Sequence, residues 1–270
     1  MRVLKVLLKL ALGIAVAFGV PVLYKTLIHP TIAAAFHLDP VASSMVRRIC
    51  ILVATVAGYW GLVKLTERRA VTELRILPGW TLLAALAGAA SIGVTLAFLY
   101  ATGRYELVAF RGFGGTGDVL GTLTIAAVIE ELAFRCVLFR LLEEAFGTRW
   151  ALVLSALVFG VAHLANAGAG ALSLVTVTLA GLVWCGVFIL SRNLWVTSAF
   201  HLAWNAAIFA TGVILSGETE FADKAPFATV VHGSPLWTGG AFGPENSPVT
   251  ILVMVASGLV LLRLASRSTR

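Results

Sequence analysis

The chain is predicted to be all-α, a polytopic membrane bundle of about eight transmembrane helices, and three observations predict it. Of its 270 residues 59% are hydrophobic and only 12% are charged, where a soluble domain carries roughly 25% charged residues. Its mean hydropathy of +0.96 leaves no room for a large soluble domain. Its apolar residues come in runs near the length of a spanning helix, without the alternation of a barrel strand. A single integral membrane domain is expected over 1–270.

The runs can be taken in order. The first, 10–28, follows Arg2, Lys5 and Lys9 and contains Ala15-Val16-Ala17, which together imitate a signal peptide. It runs on too long for a secretory apolar core and reads as a retained first span. The others are 50–65, 80–100, 119–142, 150–164, 172–190, 194–215 and 249–265. The second and fifth are short, so they must extend into their flanks or cross locally thinned bilayer. No internal repeat is visible, which weighs against transporters built from duplicated halves.

Basic residues orient the spans. With the N-terminus in the cytoplasm, 13 fall inside: Arg2, Lys5, Lys9, Lys64, Arg68, Arg69, Arg75, Arg140, Arg149, Arg192, Arg263, Arg267 and Arg270. Six fall outside: Lys25, Arg47, Arg48, Arg104, Arg111 and Lys224. The bias predicts both termini in the cytoplasm of a multi-pass protein of the cell membrane. Arg47 and Arg48 run against it. The net charge of +7 is spent at span ends with no basic run interleaved with aromatics, so no nucleic-acid partner is expected. Cys50, Cys136 and Cys185 lie in or beside apolar runs, fit no metal spacing and read as buried small hydrophobes. The polar stretch 216–248 is the one long connection, either a cap over the outer opening or a solvated connector.

Three patterns place polar groups inside the spans: Glu130-Glu131-x-x-x-Arg135, Phe159-x-x-x-His163 and His201-x-x-x-Asn205. An ionisable group within a membrane is costly and marks a functional site. Glu131 and Arg135, four apart on one helical face, form an ion pair whose plain reading is structural. Glu130 points roughly 100° away, has no basic partner on its own helix, and needs one from another helix. It suits a general acid or base. Phe159 can pack beside His163, and His201 shares a face with Asn205. Either histidine alone would pass as a helix-packing residue; recurrence on three spans argues for one polar cavity. Measured from the flanking arginines, Glu130 and His201 lie roughly 15 and 14 Å deep and His163 roughly 21 Å. Such a set can activate water against a peptide carbonyl and stabilise the oxyanion. Glu130, His163 and His201 could instead form a three-ligand zinc site, although His-Glu-x-x-His is absent.

In this order on membrane helices, the three patterns resemble the CAAX protease and bacteriocin-processing (CPBP, or Abi) family, intramembrane endopeptidases related to the type II CAAX prenyl endopeptidase. The resemblance covers a core of about 119–215, and 239–245 is similar to a tail stretch of bacterial members. It implies that Glu130 and His163 activate water, that His201 and Asn205 stabilise the oxyanion, that Glu131 and Arg135 support the site and that Phe159 lines it. It implies a peptide or lipidated protein substrate, with membrane lipid as the other partner. The family has been described both as metal-dependent and as metal-free; no cofactor is expected here, with a divalent metal such as zinc as the alternative. A non-catalytic scaffold or immunity protein using the same cavity, and a proton-coupled transporter, are the competing functions.

Overall fold

The computed structural model describes residues 2–268, with side chains from 6 to 265. The side chains of Arg2, Lys5, Arg267 and Arg270, counted in the expected topology, lie outside the described residues.

The chain folds as a helical membrane bundle. α1 (Val6–Ala35) is followed by α2 (Pro40–Thr66) and α3 (Pro78–Ala101). Asp39 caps α2, its carboxylate accepting from Val41 N at 2.9 Å and Ala42 N at 3.0 Å, and Pro40 occupies the first turn, where no amide is missed. α4 (Thr116–Glu131) continues through a π-helical stretch, Leu132–Phe139, into α5 (Arg140–Phe146). α6 (Thr148–Ala162) ends in a 3-10 turn that carries His163, and α7 (Ala171–Ser191) returns. α8 (Leu194–Thr211) starts at Asn193, whose side chain accepts from Val196 N, and stops at Gly212, which takes a φ of 75°. After α9 (Pro235–Thr238), α10 (Pro248–Ser268) closes the chain.

Among the described residues six helices are long and apolar enough to cross a membrane: α1, α2, α3, α7, α10 and α6 with its terminal turn. Their outer faces carry Leu7, Leu12, Val53, Leu86, Val161 and Leu259 exposed, a surface that suits lipid. The remaining two of the eight expected spans are α4 with its extension, and α8. Glu130, Glu131 and Arg135 in one, and His201 and Asn205 in the other, dilute their apolarity. The helices that fall short as lipid-facing spans are the ones that carry the polar set.

The eight spans match the expected runs within a few residues, except at both ends of the first and at the N-terminal end of the second. α2 extends back to Pro40 and so takes in Arg47 and Arg48. Arg48 pairs with Asp118 in the first turn of α4 and donates to Thr122 Oγ1 at 3.2 Å, which answers a charge on the unfavoured side with a partner there. Arg47 donates to Ser44 Oγ at 3.4 Å.

Hydrogen bonds fix which connections share an end. At one end Arg140 is bidentate to Glu67, Arg192 pairs with Glu143, and Asn193 donates to Arg75 O at 2.7 Å. At the other, Asn166 donates to Ser216 O at 2.9 Å and Tyr105 to Thr238 O at 2.9 Å. This second end also holds a feature absent from the all-α expectation: β1 (Tyr105–Phe110) pairs antiparallel with β2 (Phe227–Val231), Tyr105 opposite Val231 and Phe110 opposite Phe227. Cys136 and Cys185 are buried and all three cysteines are free.

Close helix contacts rest on small residues, as membrane bundles favour. A Cβ at Gly88 of α3 would stand 2.2 Å from Phe200 O of α8, and one at Gly160 of α6 2.2 Å from Thr178 Oγ1 of α7. α8 is thereby drawn against α3, with Trp184 of α7 packed edge-on to Phe200 and Trp204.

Candidate active site

The Glu130-Glu131 pair sits where α4 passes into its π stretch, all eight residues of which are buried. π turns widen a helix locally and occur often at functional sites. Side chains occupy carbonyls of the stretch: Ser155 Oγ donates to Phe134 O at 3.1 Å and Arg140 Nε to Cys136 O at 2.9 Å.

Glu131 and Arg135 are both fully buried, 3.1 Å apart. The expected ion pair has a third member: His201 Nδ1 lies 3.0 Å from the same Glu131 Oε1. The carboxylate accepts, so the ring donates from Nδ1 and its orientation is fixed. The Arg135 guanidinium also lies over the Phe159 ring, 4.4 Å from its centroid, a cation–π contact. Phe159 then packs against His163 with 4.5 Å between ring centroids and against His201 with 6.4 Å.

Glu130 finds its partner on another helix. Its Oε2 faces His163 Nε2 at 3.8 Å and has no hydrogen-bond partner of its own. His163 Nδ1 is 2.8 Å from Phe159 O; a carbonyl only accepts, so that nitrogen carries the hydrogen and Nε2 is left to the Glu130 side. His163 opens the 3-10 turn that ends α6.

Glu130, His163, His201 and Asn205 line one cavity of about 360 Å³, with Phe134 and Asn166. The structure thus brings together the residues singled out in the sequence: four on the cavity, Glu131 and Arg135 behind His201, and Phe159 between the two imidazoles. Among the described residues no three His, Cys, Asp or Glu side chains gather as ligands for a metal ion. Glu130 and His163 supply two donors, and His201, which donates from Nδ1 to Glu131, keeps the lone pair of Nε2.

The stretch 216–248 contributes more than a connector would. Leu215, Ser216, Glu218 and Phe221 form a wall of the cavity. Glu245 is buried beside the site: its Oε2 accepts from Ser216 N at 2.7 Å and Ser216 Oγ at 2.6 Å, and its Oε1 from Trp204 Nε1 at 3.4 Å. Burial pushes its carboxyl above the usual carboxylate range, against the Ser216 hydrogen bonds and the His163 ring, which act to lower it. Sequence reasoning missed Ser216, Asn166 and Glu245 as site neighbours. The only signal was the run Gly239-Gly240-Ala241-Phe242-Gly243-Pro244-Glu245, in which a Cβ at Gly243 would stand 2.1 Å from Ile214 O.

Fold and site together define a multi-pass helical membrane protein that encloses a carboxylate–imidazole cavity. Residues 112–207 match the family model described as type II CAAX prenyl endopeptidase Rce1-like. The match takes in all three motifs, and on it the chain carries an Rce1-like domain, consistent with the CPBP family and, at the level of the family, with a CAAX-type intramembrane protease. No curated protein and no solved structure matches the chain.

Proposed function

We propose that this protein is an intramembrane endopeptidase that hydrolyses a peptide bond in a membrane-embedded or lipidated, CAAX-like substrate. The observation that carries the reading is the facing pair of Glu130 Oε2 and His163 Nε2, 3.8 Å apart on a cavity inside the bundle. A water held between them attacks the carbonyl carbon as its proton passes to Glu130, and that proton later goes to the leaving amine. His163, fixed through Nδ1, presents Nε2 as an acceptor to the same water.

His201 and Asn205 receive the oxyanion. Asn205 donates through its amide. His201 already donates from Nδ1 to Glu131, so it offers a second donor at Nε2 only as imidazolium; a positive ring there meets the Glu131 carboxylate at 3.0 Å. Arg135 keeps that carboxylate in place, and Phe159 spaces the two rings.

The reaction is read as metal-free. With His201 given to the oxyanion, Glu130 and His163 offer one protein ligand fewer than the three of a catalytic zinc site. In the cell membrane the end with Lys9, Lys64, Arg68, Arg69, Arg75, Arg140, Arg149, Arg192 and Arg263 is assigned to the cytoplasm by its basic excess.

The test compares new protein N-termini in membranes of cells carrying the wild type or Glu130→Ala at equal levels. A fragment made only by the wild type identifies both activity and substrate. Identical N-termini, with Glu130→Ala still supporting the wild-type phenotype, would sink the peptidase reading in favour of a scaffold.

A further inference from the structure

Glu245 is a buried carboxylate for which the peptidase mechanism has no use, and its partners belong to both sides of the site. On one side it accepts from Trp204 Nε1, the residue preceding Asn205 and three after His201 on α8. On the other, both donors of Ser216 converge on its Oε2. Ser216 O in turn accepts from Asn166 Nδ2 at 2.9 Å, and Asn166 N donates to His163 O at 3.1 Å. An unbroken run of hydrogen bonds therefore leads from one carboxylate to the backbone of His163, while its other oxygen is tied to the helix of His201 and Asn205. Glu245, Ser216, Asn205 and both histidines also share a small cavity of about 20 Å³ behind the main one.

The segment bearing Glu245 is itself held. Asn246 accepts from Thr176 Oγ1 at 2.7 Å and donates to Ser173 Oγ at 2.9 Å, both on α7, and Thr250 Oγ1 donates to Pro244 O at 2.6 Å. Gly243 and Gly217 let the backbones close up, since a Cβ at Gly217 would meet Ala167 O at 2.0 Å. The carboxylate is thus presented from a fixed support.

We infer that Glu245 is a positioning residue of the active site, which sets His163 in register with His201 and Asn205 through Ser216, Asn166 and Trp204. This rests on the peptidase reading for its effect on rate, and on geometry alone for its effect on the histidine. Loss of Glu245 leaves three donors without an acceptor, frees the turn after α6, and lets His163 drift from Glu130. A misplacement of about 1 Å at a reacting group costs on the order of a hundredfold in rate.

The test uses the full chain in liposomes with Glu245→Ala, Glu245→Gln, Asn166→Ala and the double variant Glu245→Ala/Asn166→Ala. On a peptide made from the identified cleavage site, Glu245→Ala is expected to lower kcat at least tenfold with KM within threefold of wild type. Glu245→Gln, which keeps an acceptor oxygen, recovers part of that loss. The double variant is no slower than Glu245→Ala, because both changes cut one connection. Carbethoxylation by diethyl pyrocarbonate, read residue by residue, is measured in parallel: His163 reacts at least threefold faster in Glu245→Ala and Asn166→Ala, and exposed His232 is unchanged. A kcat within threefold of wild type, losses that multiply in the double variant, or unchanged His163 reactivity would each overturn the inference. If the wild type cleaves nothing, the peptidase reading fails and His163 reactivity alone decides. If Glu245→Ala does not fold, Asn166→Ala decides by the same two readouts.

Discussion

Replacing Arg135 by Met should destabilise the protein strongly, and the size follows from what the guanidinium touches. It donates to Glu131 Oε1 at 3.1 Å, lies 4.4 Å above the Phe159 ring, and reaches Gly181 O at 3.4 Å, all with no exposure. Methionine fills similar volume, so the cavity term is small and the cost is electrostatic. Breaking a buried pair by removing one partner costs about 3–5 kcal/mol, because the other charge stays buried; the lost cation–π contact adds about 1–2 kcal/mol. His201 remains as a hydrogen-bond partner of Glu131 and offsets part of this, so a net loss of about 3 kcal/mol is expected. The assay is unfolding of the purified protein by titration with a denaturing detergent. Arg135→Met/Glu131→Gln should recover stability, since it removes the stranded charge, yet stay inactive, since a neutral amide does not support the His201 imidazolium of the oxyanion site. A single variant as stable as wild type, or a double variant less stable than the single, would refute the reasoning.

Glu130→Gln should abolish cleavage and leave the unfolding transition within about 0.5 kcal/mol of wild type, the usual range where no partner is lost; Glu130 Oε2 has no hydrogen bond to lose, and a shifted transition in the same titration would contradict this. Dialysis against a strong chelator should leave the cleavage rate unchanged, and restoration of a lost rate by added zinc would overturn the metal-free reading. At the basic end, burial alone would raise the carboxyls of Glu67 and Glu73, but hydrogen bonds from Arg140 and Arg69 to the first, and from Arg69 and Tyr59 to the second, outweigh it and hold both below 4.5. With the folded values depressed, their contribution is present above pH 4.5 and lost as pH falls through the folded values. Unfolding followed from pH 7 to pH 3 should therefore show a loss that Glu67→Gln/Glu73→Gln lacks, and equal acid sensitivity in the two proteins would refute it.

Much of this architecture was legible because a membrane makes sequence unusually literal. Apolar runs marked the helices, and charges inside them marked the site. The division between Glu130 and Glu131 followed from 100° per residue: one pairs along its own helix, the other looks to its neighbours. What stayed hidden depends on residues far apart in the chain. His201 joins the Glu131–Arg135 pair across 70 positions, and spacing within one helix says nothing about that. β1 and β2 are six and five residues long and lie on either side of five helices, so neither has a hairpin turn to announce it. Glu245 had a glycine-rich neighbourhood but no local pattern for its role, because its partners come from α8 and the segment after it. The π stretch has no proline or glycine to mark it, and its composition reads as ordinary helix.

That π stretch makes the core sensitive to winding as well as to composition. A π turn holds about one more residue than an α turn, and that extra residue sets the phase between the helix before the stretch and the helix after it. Were the same residues to wind as a plain α-helix, everything before the stretch would rotate by about 100° against everything after it. Glu130 would swing off His163 and Glu131 off His201, although every side chain of the three motifs was still present. Substitutions along this stretch are tuned one contact at a time, whereas a change in winding resets the whole site at once.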